Sequence, residues 1–360
     1  MKTLATLATV AGLALTVAGC SAESNSPAAR SRPAWSTLPA APVKIDAGLT
    51  SVWTGRRLIV SGIRMGPGRT FIGSTEVAAS YDPATHSWRR LSRPPKTATY
   101  CRRDAAWTGR EMLVWGCGQL TYDPATDTWA RLPQAPTGEG IAVWTGRELI
   151  GWGGGCCGDA WDGGSAYDPA TNAWRTIART PLAPAQGALG AWTGHELLLL
   201  VSGIDPASGK PYPARFARAA AYDPAADAWH RIAPPPETGF RFGSAAVWDG
   251  RDLIVLGAGS NARTVLAYRP ATNRWRLLAL LPLPLRNAEA FWTGKRLVVW
   301  GGAESARALS YNPSTNRWTA FPHAPLHGSG QAAVWTGHRL LVWSGTGGAA
   351  LTPSSERTSR

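Results

Sequence analysis

A Trp-Thr-Gly or Trp-Asp-Gly turn recurs seven times along the chain, beginning at Trp53, Trp107, Trp144, Trp192, Trp248, Trp292 and Trp335. Between these turns lies a second series, a Tyr with a Trp seven residues later: Tyr81/Trp88, Tyr122/Trp129, Tyr167/Trp174, Tyr222/Trp229, Tyr268/Trp275 and Tyr311/Trp318. Trp53 and Trp335 stand 282 residues apart over six intervals, a mean period of 47. A unit this short cannot bury its own apolar face and must stack on its neighbours; repeats of roughly 40–50 residues read as propeller blades.

Each unit reads as four strands. In the fifth, 243–247 leads into Trp248-Asp249-Gly250, 252–256 alternates back, 264–268 ends in Arg269-Pro270-Ala271-Thr272-Asn273, and a fourth strand starts at Trp275 and stops at Pro282 and Pro284. Gly supplies positive φ, Pro presets a turn position and Asn or Asp tolerates the left-handed region. No stretch sustains a helical period, so the fold class is all-β. The segment Trp35-Ser36-Thr37-Leu38-Pro39 matches the fourth-strand segment Trp129-Ala130-Arg131-Leu132-Pro133 but precedes the first unit, while the last unit lacks a fourth strand. An N-terminal strand that completes the C-terminal blade removes an exposed sheet edge. The expectation is a seven-bladed β-propeller of four-stranded antiparallel blades over 34–352, followed by a disordered tail, 353–360.

The pattern resembles the kelch-type, galactose-oxidase-like propellers, whose blades carry a glycine pair after the second strand and then a Tyr and a Trp. Gly153-Gly154 and Gly301-Gly302 match best; Ser61-Gly62, Gly116-Cys117, Ser202-Gly203 and Ser344-Gly345 are degraded forms. The resemblance implies the fold, and implies little about activity, because such propellers include binding scaffolds, a copper oxidase and a sialic-acid epimerase. A copper oxidase of this kind needs histidines and tyrosines at the channel mouth, one tyrosine joined to a cysteine. Here His86, His195 and His338 fall in the constant turns, His230 begins a fourth strand, and only His323 and His327 fall in an inter-blade link. No metal and no cofactor are expected.

At the N-terminus, Lys2 precedes an apolar run from Leu4 to Ala18 and the sequence Val17-Ala18-Gly19-Cys20, which looks like a bacterial lipobox. The run is short for a span of about 20 residues and ends in small residues. The expectation is a signal peptide over 1–20 with lipidation at Cys20, a flexible tether over 21–33, and a protein exported and held by acyl chains at the outer face of the cytoplasmic or another envelope membrane. The formal charge of +14, or +13 without Lys2, suits anionic headgroups or acidic wall polymers; export argues against nucleic acid. Export also permits disulfides. If Trp107 faces Glu111, Cys101 falls opposite Cys117; Cys156 and Cys157 are adjacent and would form a vicinal bridge, stay free or exchange with the first pair. Zinc ranks lower, since there is no Cys-x-x-Cys and no nearby His.

Eighteen of the 19 tryptophans occupy repeated positions and read as scaffold; Trp161 alone stands outside the repeat. Function is sought where the repeat breaks. Antiparallel strands place the Trp-Thr-Gly and Tyr-Asp-Pro turns on one face, nearly constant in length, and the second connections and inter-blade links on the other. Distances from each turn Trp to the next Tyr are 28, 15, 23, 30, 20 and 19 residues, so blades one, three and four carry long loops, near 64–75, 156–164 and 205–218. Loops displayed on a rigid scaffold are where sites concentrate. The links add Arg102, Arg103, Asp104, Glu139, Gln186, Arg241, Arg286, Asn287, Glu289, His327 and Gln331, a set suited to an anionic ligand such as a carboxylated sugar. No catalytic residue is assigned, because no Gly-x-Ser-x-Gly, phosphate-loop or His-Glu-x-x-His element is present. The favoured expectation is a monomeric, non-catalytic scaffold for a glycan, wall polymer or protein partner. The alternative is an exported sugar epimerase or lyase using Glu139, Glu289 and Arg241 at the channel mouth.

Overall fold

The structure, a computed structural model, describes residues 33–97, 103–116, 118–137, 140–155, 158–236, 245–257, 262–284, 288–301, 306–326, 332–344 and 347–353. These form seven four-stranded antiparallel sheets, each pairing its strands in chain order from the channel outward, except for the last. Blade one is Ala47–Trp53, Leu58–Arg64, Thr75–Asp82 and Ser87–Arg90; the fifth is Ala245–Trp248, Leu253–Leu256, Val265–Arg269 and Arg274–Leu277. The closing blade takes Ala332–Trp335, Leu340–Ser344 and Gly347–Thr352 from the C-terminal end and Ala34–Thr37 from the N-terminal end, with Trp35 opposite Leu351. The seven-bladed ring closed by Trp35 is thus as the repeat implied. Among the described residues the seven sheets lie within Pro33–Pro353.

The two motifs do different mechanical jobs. In the first, the turn glycine has φ between +86° and +107° in every blade while the residue after it does not have positive φ, which is a two-residue type II′ hairpin. The Thr Oγ1 before the glycine accepts the backbone N–H three residues on, as from Arg57 at 2.9 Å and Glu148 at 3.0 Å; in blade five Asp249 Oδ1 does the same for Asp252 at 2.6 Å. Thr and Asp therefore interchange because either supplies a short-range acceptor. This geometry sets the register: Trp107 faces Met112 rather than Glu111, one residue away from the pairing that placed Cys101 against Cys117. Thr108 and Glu111 close the hairpin instead, and the register argument for that bridge falls. Cys101, Cys117, Cys156 and Cys157 lie outside the described residues, as do Cys20, the signal peptide, the tether apart from Pro33, and residues 354–360.

The second motif joins blades. Its Tyr hydroxyl bonds a side chain five residues on, held in the left-handed region with φ of 48–54°: His86, Asp127, Asn172, Asp227, Asn273 or Asn316. Four of these acceptors also take a backbone N–H from the preceding blade, from Ser92, Ala178, Ala233 and Ala279 at 2.7–3.0 Å. The Trp then donates its indole N–H to a carbonyl of the preceding blade: Trp88 to Pro39, Trp129 to Ser92, Trp174 to Pro133, Trp229 to Ala178, Trp275 to Ala233 and Trp318 to Ala279, all at 2.8–3.1 Å. Trp35 completes the circle by donating to Pro322 at 2.8 Å. The apolar core follows the same plan, in seven clusters that each join two adjacent blades. At about 25 cal/mol per Å2 of apolar surface, this burial is available only to a stacked blade.

Candidate functional site: a tryptophan-lined pocket on the variable face

Of the link residues, the structure describes Arg103, Asp104, Gln186 and Glu289; Arg102, Glu139, Arg241, Arg286, Asn287, His327 and Gln331 lie outside the described residues. The four described ones do not act as one group. Arg103 is turned inward, its guanidinium bidentate on the Glu76 carboxylate at 2.9 and 2.8 Å with Thr97 bonded to both; the two side chains are 4% and 3% exposed. This charge-assisted pair ties the start of blade two to the third strand of blade one. Gln186 donates to the Asp159 carbonyl at 2.9 Å and so straps the long loop of blade three to the following link.

Glu289 and Asp104 occupy the same register position in the innermost strands of blades six and two, each opposite a second-strand Trp. Burial drives the Glu289 carboxyl up to about 8; an N–H from Ala333 of blade seven, at 3.3 Å, opposes the shift and the negative charge of Asp104 adds to it. Glu289 therefore holds its proton at neutral pH, a proton donor at the variable-face end of the innermost strands.

The described concavity on this face lies beside Trp161. A cavity of about 440 Å3 opens between blades two and three, lined by Gln119, Gln134 to Thr137, Trp161, Asp162 and Gly163. Its parts come from the second connection of blade two, the link out of blade two, and the long loop of blade three. The loop is pinned. Trp161 pairs with Ala185 in an isolated antiparallel bridge, its N–H donating to Gly154 at 3.1 Å and its carbonyl accepting from Ala185 at 3.0 Å. Gly153, at φ +73°, permits this lacing, since a Cβ there would meet the Ala185 carbonyl at 2.9 Å. Gln119 Oε1 accepts from Ala135 at 3.2 Å, and Thr137 bonds Ser165 at 2.9 Å.

With its backbone fixed, the Trp161 side chain remains 43% exposed. Among the described residues the Gln134 amide and the Asp162 carboxylate have no hydrogen-bond partner. Among the described residues the site thus offers a rigid aromatic plane, two amides, a hydroxyl and one carboxylate, with no Lys or Arg in the lining. Two signals for it stood in the sequence, the long loop of blade three and the break in the tryptophan count at Trp161; Gln119 and Gln134 to Thr137 carried none. Ile72, 84% exposed, tips the long loop of blade one on the same face.

No family model matches the chain, and no curated protein matches it. Among solved structures it is similar to a novel fungal alcohol oxidase with catalytic diversity among the AA5 family, in complex with copper: 12% identity, TM-score 0.64, covering 90% of this chain and 76% of that one. At that identity the likeness concerns the fold alone, a seven-bladed propeller of four-stranded antiparallel blades. His86 is bonded to Tyr81 in a constant-face turn, His195 and His338 tip such turns, and His230 sits on an outer strand beside Glu196. Among the described residues no three His, Cys, Asp or Glu side chains converge as metal ligands.

Proposed function

We propose that the protein is an exported, membrane-anchored propeller that binds a glycan through its variable face without transforming it. The observation that carries this reading is the pinned, exposed Trp161 beside a polar cavity. An aromatic plane set against hydrogen-bonding groups suits a pyranose, whose C–H face is apolar and whose rim is hydroxylated. A cavity of about 440 Å3 takes one or two sugar rings, whereas a protein partner would seek a broad flat surface. The described lining, with one carboxylate and no cation, suits neutral or amino sugars rather than the carboxylated sugars that the link arginines suggested.

The test is a panel of neutral, amino and acidic oligosaccharides and wall fragments, read by calorimetry and by product analysis. Trp161→Ala should weaken binding about 5- to 150-fold, since stacking on an aromatic side chain is worth about 1–3 kcal/mol, and Asp162→Asn should weaken amino-sugar binding selectively. Undiminished binding by a folded Trp161→Ala variant would remove the site. Turnover of a bound sugar, abolished by Glu289→Gln, would favour the epimerase or lyase alternative, for which the neutral Glu289 carboxyl is the supporting observation.

A further inference from the structure

The tip of the first hairpin carries a basic residue in every blade: Arg56, Arg110, Arg147, His195, Arg251, Lys295 and His338. All are exposed on the constant face. The next residue divides the disc. In blades two to five it is acidic, Glu111, Glu148, Glu196 and Asp252; in blades six, seven and one it is Arg296, Arg339 and Arg57.

The outer turns follow the same division. Blades two, three and four add Asp123, Asp168 and Asp223, whereas blade six has Asn312 and the exposed Arg317. Blade one has a single acid in its turns, Asp82, which is buried and held by Arg57 at 3.1 Å. Arg56 reaches Asp82 only at 4.0 Å and stays 78% exposed. The constant face is therefore polarised into a basic crescent over blades six, seven and one, with Arg56, Lys295, Arg317, Arg339 and His338 exposed, and an acidic arc over blades two to four.

The path of the chain meets that crescent. Trp35, Leu351, Leu340 and Trp335 stand side by side at the constant-face end of blade seven. The described chain therefore begins, at Pro33, on the constant face at the middle blade of the crescent. Cys20 precedes Pro33 by 13 residues, a reach of at most roughly 45 Å.

We propose that blades six, seven and one of the constant face dock onto an anionic lipid surface, so that the disc rests on its basic edge with the Trp161 pocket turned away from the membrane. This rests on the membrane-anchored reading above. A lipid chain and a polybasic patch acting together give firm anchoring, and each Lys or Arg near an anionic surface strengthens partition about 5-fold. The acidic arc would be repelled by the same surface, which selects the tilt. A flat array of turn tips around the point of attachment matches a plane better than a nucleic-acid groove.

The chain from Ser21, made without acyl groups, separates this proposal from lipidation itself. It should partition onto phosphatidylglycerol-containing vesicles and not onto pure phosphatidylcholine, more weakly as salt rises. Replacing Arg56, Lys295, Arg317 and Arg339 together by Gln should reduce partition several hundred-fold, while Arg110→Gln with Arg147→Gln should change it less than threefold. Melting curves of each variant confirm that the ring is intact. Equal partition onto both vesicles, an intact quadruple variant that partitions like the parent, or tighter binding to duplex DNA or a soluble polyphosphate polymer at equal salt would each overturn the proposal. The mass of the chain purified from cells tests Cys20 acylation separately: its absence would end the anchored reading and leave the vesicle result to stand or fall alone.

Discussion

Replacing Arg103 by Ala distinguishes a structural cation from a ligand-binding one. Its guanidinium and the Glu76 carboxylate are almost wholly buried and doubly hydrogen-bonded. Taking away one partner strands a buried charge, which costs about 3–5 kcal/mol, far more than losing an exposed pair. For a ring of about 320 residues, an unfolding entropy of about 2.1 cal/mol/K per residue converts this to a drop of about 4–7 °C in Tm. Glu76→Ala should cost a similar amount. The double variant Arg103→Met with Glu76→Met should recover most of the loss, since it leaves no charge behind. Calorimetry of the parent, the two single Met variants and the double Met variant closes the cycle. If Arg103→Ala melted with the parent while losing affinity for an acidic sugar, the assignment of Arg103 to the blade interface would be wrong.

Two pH experiments follow from buried acids. Between about 4.5 and about 8 the folded protein keeps the Glu289 proton that the unfolded chain has released, so this residue's contribution to stability falls as pH rises through that window. Glu289→Gln should match the parent near pH 4.5 and melt higher than it at pH 8; a parallel pair of Tm–pH curves would refute the shift. Burial likewise raises all six motif tyrosines, Tyr268 to about 12. Stability should decline from about pH 10 upward, with phenolate absorbance appearing together with unfolding rather than before it.

The repeat made the ring legible because every blade solves the same problem with the same residues: a glycine at positive φ, a tyrosine bonded to a left-handed Asn, Asp or His, and an indole aimed at the blade before it. Trp35 could be placed because its segment lacked a Tyr partner. The long loops of blades one, three and four could likewise be counted from spacing alone. What escaped was everything that depends on one blade differing from another. Arg103 and Gln186 looked like ligand groups because their partners, Glu76 in the third strand of blade one and the Asp159 carbonyl in the long loop of blade three, lie 27 residues away. The Trp107–Met112 register turned on whether two residues or three form the hairpin tip, a difference that composition does not reveal. The polarity of the constant face was in the sequence throughout, but it becomes a surface only when seven turns are arranged in a circle.

Ring closure carries a consequence for the order in which the protein is built. Ala34 pairs with Thr352, so the strand synthesised first is used last, and its edge of blade seven stays open until nearly the whole chain is available. At that seam Leu351 stands where the other blades have the bonded Tyr, leaving Trp35 with its single bond to Pro322 and its packing on Trp300. The entropy of joining such distant ends grows only slowly with chain length, so the delay is kinetic rather than thermodynamic. A half-made ring has two open sheet edges and an unfilled tryptophan socket, a natural target for a chaperone until the first strand docks.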